Sequence, residues 1–156
     1  MQKITPFLWF NDKAEEAVDF YLSVFKDSKV TRVNRYADTE HGKKGSVMSI
    51  SFVLDGQEFA ALNGGPYYTI TPGISFVINC ASQKEIDHYW EKLAEGGKIQ
   101  QCGWLTDKFG VTWQVVPTVL LELLNSNDTV RTQRVTEAML KMIKLDISVL
   151  EQAYNQ

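Results

Sequence analysis

Residues 4–25, ITPFLWFNDKAEEAVDFYLSVF, decide the fold, because their pattern returns in residues 73–94, GISFVINCASQKEIDHYWEKLA. In the first run, residues 4–10 predict a strand on which Thr5, Phe7 and Trp9 alternate with Leu8 and Phe10, stopped by Asn11-Asp12. Asp12 and Glu15 stand at capping-box spacing. Ala14, Ala17, Val18, Tyr21, Leu22 and Phe25 then keep the rhythm of one buried helical face, predicting a helix over residues 12–25. The second run repeats the plan: a strand over 73–80, a capping box at Ser82 and Glu85, and a helix over 83–95. Its apolar face is Ile86, Tyr89, Trp90, Leu93 and Ala94, each 72 residues after Ala14, Ala17, Val18, Tyr21 and Leu22 in turn. Any two amphipathic helices share a period. A strand before each and short strands after each are not explained by that period alone.

Residues 30–36, 47–54 and 58–63 read as strands, with a polar loop over 38–46 and Asp55-Gly56 as a hairpin signal. Gly64-Gly65-Pro66 closes this half. After the second helix come strand-like residues 98–101, 104–107 and 112–116, the last two separated by Phe109-Gly110. The result is an α+β chain built on a duplicated βαβββ unit, with a repeat longer than solenoid periods and only two copies. We expect one domain over 1–156, with modules at 1–66 and 67–117 and a helical extension over 118–156. Within that extension, residues 119–124, 130–144 and 146–154 are predicted helical, and Val135, Ala138, Met139, Met142 and Ile143 mark a face. Such a face must be covered, either as a lid over a sheet edge or as a dimer contact.

The composition fits a globular chain: 156 residues, 44% hydrophobic and 22% charged, enough to bury roughly 68–70% of the unfolded surface without a disulfide or structural metal. Sixteen Lys and Arg against 19 Asp and Glu give a net charge of −3 with no long basic run, which argues against nucleic acid and anionic membrane as partners. Residues 1–10 are too short for a signal peptide and no apolar run of about 18 residues occurs, so the expected location is cytoplasmic. The cysteines, Cys80 and Cys102, lack zinc-site spacing, and His41 and His88 sit in polar settings. Aromatic residues make up 12% of the chain, which suits a lined cavity, an interface or a bulky core alike.

Several segments then carry a resemblance. They are ITPFLWF at 4–10, AEEAVDFY at 14–21, ALNGGP at 61–66, CGWLTDKFGVTWQVVP at 102–117 and RVTEAMLKM at 134–142. Paired βαβββ modules are the plan of the vicinal oxygen chelate superfamily of glyoxalase I, extradiol dioxygenases, and fosfomycin and bleomycin resistance proteins. These segments resemble its PhnB-like branch, commonly labelled 3-demethylubiquinone-9 3-methyltransferase. The resemblance implies a homodimer and a cavity on the concave sheet, with metal ligands, typically His and Glu, drawn from the first and last strands of each module. Here Thr5 and Ser75 fall at the first-strand positions and Gln114 at the last strand of the second module. The last strand of the first module places Asn63, or by register Ala61, there. Hydroxyls and amides are neutral and poor ligands for a transition metal, so no metal and no cofactor are expected.

The leading expectation is therefore a small-molecule site of aromatic and neutral polar side chains, formed by Thr5, Phe7, Trp9, Asn63, Ser75, Trp104 and Gln114. If the protein is an enzyme, Cys102 is the candidate nucleophile and Asp107 the candidate base, although Asp107 would equally serve to fix the turn before Gly110. Alternatives are a metal-dependent lyase, isomerase or dioxygenase, a methyltransferase as the family label says, and a non-enzymatic dimeric sequestration protein. For the methyltransferase, the turn Phe10-Asn11-Asp12-Lys13 carries none of the glycines on which a nucleotide-like methyl donor would rest in a doubly wound fold.

Overall fold

The computed structural model describes residues 2–156. The chain divides into two compact units, one ending at Ile70 and one beginning at Thr71.

The first unit runs β1 (Phe7–Phe10), α1 (Ala14–Val24), β2 (Lys29–Arg35), β3 (Val47–Leu54) and β4 (Gln57–Asn63). Its sheet has the order β1-β4-β3-β2, with β1 parallel to β4 and the other pairs antiparallel. The β3–β4 hairpin turns at Asp55 and Gly56, whose φ values of 47° and 81° suit a tight turn that matches strand twist. Helix α1 packs on β3 and β4 and buries Ala14, Ala17, Val18, Tyr21 and Val24. Against them lie Leu8, Phe10, Ile50, Phe52, Leu54, Phe59 and Ala61, the alternate residues of three strands. Phe52 stacks between Tyr21 and Phe59, with centroids 6.5 and 5.5 Å away. Each large side chain buried in this way contributes about 1.5–3 kcal/mol.

The second unit opens with β5 (Ser75–Cys80), α2 (Gln83–Ala94), β6 (Lys98–Ile99), β7 (Trp104–Thr106) and β8 (Thr112–Pro117). The sheet order is β5-β8-β7-β6, with β5 parallel to β8. This is the topology of the first unit again, a mixed four-stranded sheet with one helix on one face, and the duplicated βαβββ reading holds. Ile86, Trp90 and Leu93 of α2 cover Ile78, Cys80, Leu105, Trp113 and Val115.

The two helices begin differently. Ser82 caps α2 by accepting from Glu85 N–H at 3.3 Å, and Glu85 Oε2 reaches back to Ala81 N–H at 2.6 Å, a capping box closed one residue before the N-cap. In α1 the expected box at Asp12 and Glu15 does not form. The N-cap is Lys13, without a side-chain cap, and Ala14 N–H donates instead to Asn63 Oδ1 at 2.8 Å. A residue from the end of β4 does from across the sheet what Asp12 was expected to do locally.

Beyond β8 come α3 (Thr118–Leu124), α4 (Thr129–Leu140) and α5 (Ile147–Asn155). Leu120, Val135, Leu145 and Leu150 form their core, with Val116 of β8, Met139, Met142 and Tyr154 packed around it. Helix α4 stops before residue 144, its predicted end, because the segment after it is drawn to β7: Cys102 N–H donates to Met142 O at 2.9 Å and Gly103 N–H to Ile143 O at 2.8 Å. Gln83 of α2 clasps the same segment, donating to Leu145 O and accepting from Ile147 N–H at 3.0 Å, while Lys144 pairs with Asp87 at 2.7 Å. The bond from Lys144, helped by Gln83, holds the Asp87 carboxyl below its usual range. No helix among the described residues is long and apolar enough to cross a membrane.

Candidate ligand-binding face

Each sheet has one face under its own helix, α1 or α2, and an opposite, open face, which in the second sheet meets the C-terminal helices at Val116. Strand alternation and the register of the pairs assign every candidate residue to one of these. In the second unit, Ser75 opposes Thr112, Val77 opposes Gln114, and Gln114 in turn opposes Trp104 of β7. Ser75, Val77, Trp104, Thr106, Thr112 and Gln114 thus share the open face, opposite to Trp113 and Val115. Their polar groups meet in two pairs. Gln114 Nε2 donates to Ser75 Oγ at 2.9 Å. Thr106 and Thr112 join their hydroxyls at 3.0 Å, and Gln100 Nε2 donates to Thr106 Oγ1 at 2.9 Å.

The threonine pair is tied to Gln100, and Thr112 is fully buried. The serine–glutamine pair is not closed. Ser75 accepts there and keeps its own proton to give, while Gln114 keeps the two lone pairs of Oε1. No residue among those described takes up either capacity. Trp104 lies half-buried beside them, and Val77 is 49% exposed.

The open face of the first unit carries Ser49 and Ser51 of β3, with Asn34 Nδ2 donating to Ser49 Oγ at 3.0 Å, beside aromatic residues of β1. Phe7, 60% exposed, opposes Ala60, and Trp9 opposes Leu62. Trp9 is fixed by an indole N–H bond to Gly65 O at 2.9 Å and by Tyr68 standing edge-on 4.9 Å from its ring. Thr5 is exposed and precedes β1, which starts at Phe7 after a proline that has no N–H for a ladder. Asn63 lies on the other side, toward α1. Besides capping Ala14, it donates to Glu15 Oε2 at 2.6 Å and to Val47 O at 3.1 Å, and its carbonyl accepts from Tyr36 OH at 2.6 Å. Its amide is used up in tying α1 to β3 and β4.

The two residues considered for catalysis are similarly placed. Asp107 is 3% exposed and accepts from Phe109 N–H at 2.8 Å, Val111 N–H at 3.1 Å and the indole N–H of Trp113 at 2.8 Å. With three donors on two oxygens it organises the turn that delivers β8. Cys102 points its thiol at Met139 O, 3.6 Å away, on a backbone held at φ 56° beside Gly103 at 79°. Gly103 is required there, since a Cβ would lie 2.7 Å from Val115 O. Cys80 is buried, and burial, with Glu85 nearby, pushes its thiol up to about 12. His41 is exposed, and His88 stacks edge-on against Tyr89 at 5.1 Å.

The donors on the open face of the second sheet, hydroxyls and amides, do not fit a divalent transition metal, which wants imidazole or carboxylate. Among the described residues no three His, Cys, Asp or Glu side chains gather as a metal-binding group. Sequence reading missed Thr106, Thr112 and Gln100. Their signal was available, because Trp104 with Thr106 and Thr112 with Gln114 stand two apart on paired strands.

Residues 2–116 match the family model described as 3-demethylubiquinone-9 3-methyltransferase. The PhnB protein of Bacillus cereus is 40% identical, over 75% of this chain and all of that one, with a TM-score of 0.69. A protein of Pseudomonas aeruginosa is 26% identical over 75% of this chain and 98% of its own, with a TM-score of 0.64. The fosfomycin resistance protein FosX of Listeria monocytogenes, at 16% identity, 80% and 98% coverage and a TM-score of 0.58, shares the vicinal oxygen chelate fold. A search of curated proteins finds no match.

Proposed function

The chain belongs to the 3-demethylubiquinone-9 3-methyltransferase family, in its PhnB-like form, and from that premise we propose that it binds a small organic molecule on the open face of its second sheet without a transition metal. The observation that carries this reading is the Ser75–Gln114 pair, which presents one spare hydroxyl proton and one spare amide oxygen side by side. Such a pair suits a ligand with an uncharged acceptor and donor on neighbouring atoms, and Trp104 and Val77 supply apolar contact beside it. Cys102 and Asp107 are left out of the chemistry, because the thiol faces a backbone carbonyl and the carboxylate is committed to three N–H groups. The protein acts in the cytoplasm as a homodimer.

A thermal-shift screen of uncharged metabolites and divalent metals tests this. A ligand at about a hundred times its Kd adds about 2.7 kcal/mol to stability and raises the Tm by roughly 5–10 °C. Gln114→Ala and Ser75→Ala should each weaken that ligand about two- to tenfold, the worth of one neutral hydrogen bond. Elemental analysis of the purified protein should find far less than one Zn, Ni, Mn or Fe per chain. One transition metal per chain lost on Gln114→Ala, or a ligand indifferent to both substitutions, would sink the proposal.

A further inference from the structure

The extension beyond residues 2–116 has a groove of its own, between α4 and α5, with a volume of about 400 Å³. Arg134, Glu137 and Lys141 supply its charged lining, and Ala138, Met142 and Val149 its apolar one. Arg134 is the unusual member. Its Nε is sealed from water and has no hydrogen-bond partner, the one side-chain atom in that condition among the described residues. With Nε closed off, a ligand in the groove meets the outer N–H groups of the guanidinium, two of which take a planar oxyanion in parallel, and the Nε–H beside them reports on its charge.

The neighbour that should satisfy it does not. Glu137 stands three residues on from Arg134 along the helix, yet its carboxylate accepts from Gln133 Nε2 at 2.9 Å instead. Lys141, on the next turn, ion-pairs with nothing among the described residues. Two cationic side chains thus line a groove that is half polar and half apolar, with no protein acceptor for either.

We propose that this groove binds a small carboxylate with an apolar tail, the carboxylate on Arg134 and Lys141 and the tail along Ala138, Met142 and Val149. The apolar lining selects against a bare inorganic anion, and Glu137 near the cations disfavours a doubly charged one.

The test is an NMR titration of the full chain, observing arginine side-chain Nε–H signals, with sodium hexanoate, hexan-1-ol and inorganic phosphate as probes. Arg134→Lys identifies the Arg134 signal by its loss. Hexanoate should move that signal saturably with a Kd on the order of 1 mM, as expected for a ligand of eight heavy atoms. Lys141→Ala, at an exposed position that leaves the fold intact, should weaken it about three- to tenfold. The proposal is overturned if hexanoate causes no saturable shift, if hexan-1-ol moves the signal equally, if phosphate binds and hexanoate does not, or if Lys141→Ala leaves the affinity unchanged.

Discussion

Replacing Asn63 separates a structural duty from a binding one, and the geometry sets the size of the effect. Asn63→Ala removes the acceptor for Ala14 N–H at 2.8 Å and the donors to Glu15 at 2.6 Å and Val47 O at 3.1 Å. Loss of a helix cap costs about 0.5–2 kcal/mol, and an unmet hydrogen bond adds about 1 kcal/mol. Because these bonds share one amide they are coupled, so the expected total is about 2 kcal/mol, a Tm drop of roughly 4–8 °C in a chain of this size. Binding at Ser75 and Gln114 should be unchanged. Asn63→Asp sharpens the test. It keeps Oδ1 to cap α1 but sets a second carboxylate where the Nδ2 donor now meets Glu15 Oε2. Two carboxylates that close share a proton, so one folded-state pKa rises above its unfolded value. A raised carboxyl pKa gives stability that is present at low pH and lost as pH rises through it. Asn63→Asp should therefore melt close to the wild type near about pH 4 and well below it near about pH 7.5. Circular dichroism melts at both pH values decide it. An Asn63→Ala protein melting within about 1 °C of wild type, yet unable to bind ligand, would show that the amide serves the ligand and not the helix.

Asp107→Asn must turn an amide NH₂ toward either the Trp113 indole N–H or the N–H groups of Phe109 and Val111, so it should lose about 2–4 kcal/mol, read by tryptophan emission in urea. A base in catalysis would lose activity with its stability intact, the opposite pattern. Cys80 should resist iodoacetamide in the native protein while Cys102 reacts, since burial raises the Cys80 thiol from 9.0 to about 12. As the folded value is the higher one, this thiol contributes stability that is complete below 9.0 and lost as pH climbs toward about 12, and Cys80→Ala should flatten that alkaline decline.

How far the sequence could be read depended on how local each determinant was. The helix faces and the Asp55-Gly56 turn are set by residues within one or two turns of each other, and periodicity finds them. Ser82 and Glu85 cap α2 within four residues and were legible for the same reason. Asp12 and Glu15 have the same spacing, but the cap of α1 comes from Asn63, 49 residues away from Ala14, and nothing in a local pattern announces that. The end of α4 is another long-range effect, settled by Met142 and Ile143 pairing with the 102–103 loop. The candidate site divides likewise. Ser75 and Gln114 share a face because a strand alternates, whereas the duties of Asp107 and Cys102 depend on which N–H or carbonyl the fold brings to them.

The duplicated plan shows where the two units diverge. Phe10 and Cys80 end their first strands and pair with Asn63 and Pro117, the ends of their last. Counting back from these ends, Thr5 corresponds to Ser75 and Phe7 to Val77. The partners of Phe7 and Val77 are Ala60 and Gln114, so the counterpart of Gln114 is Ala60. The register that assigned Asn63 or Ala61 to that place was therefore off, and both of those residues face α1. An odd shift of this kind moves every side chain to the opposite face, which is why a strand end read from sequence misleads most at the site itself. With the register corrected, one sheet offers Phe7, Trp9, Ala60 and Leu62 with Asn34, Ser49 and Ser51 on its open face, and the other Ser75, Val77, Trp104, Thr106, Thr112 and Gln114. Each open face thus carries one amide–hydroxyl pair beside aromatic side chains, Asn34 with Ser49 in the first sheet and Gln114 with Ser75 in the second. Gln114→Ala should accordingly remove one anchor of a ligand held at Ser75 and Gln114, weakening it about two- to tenfold.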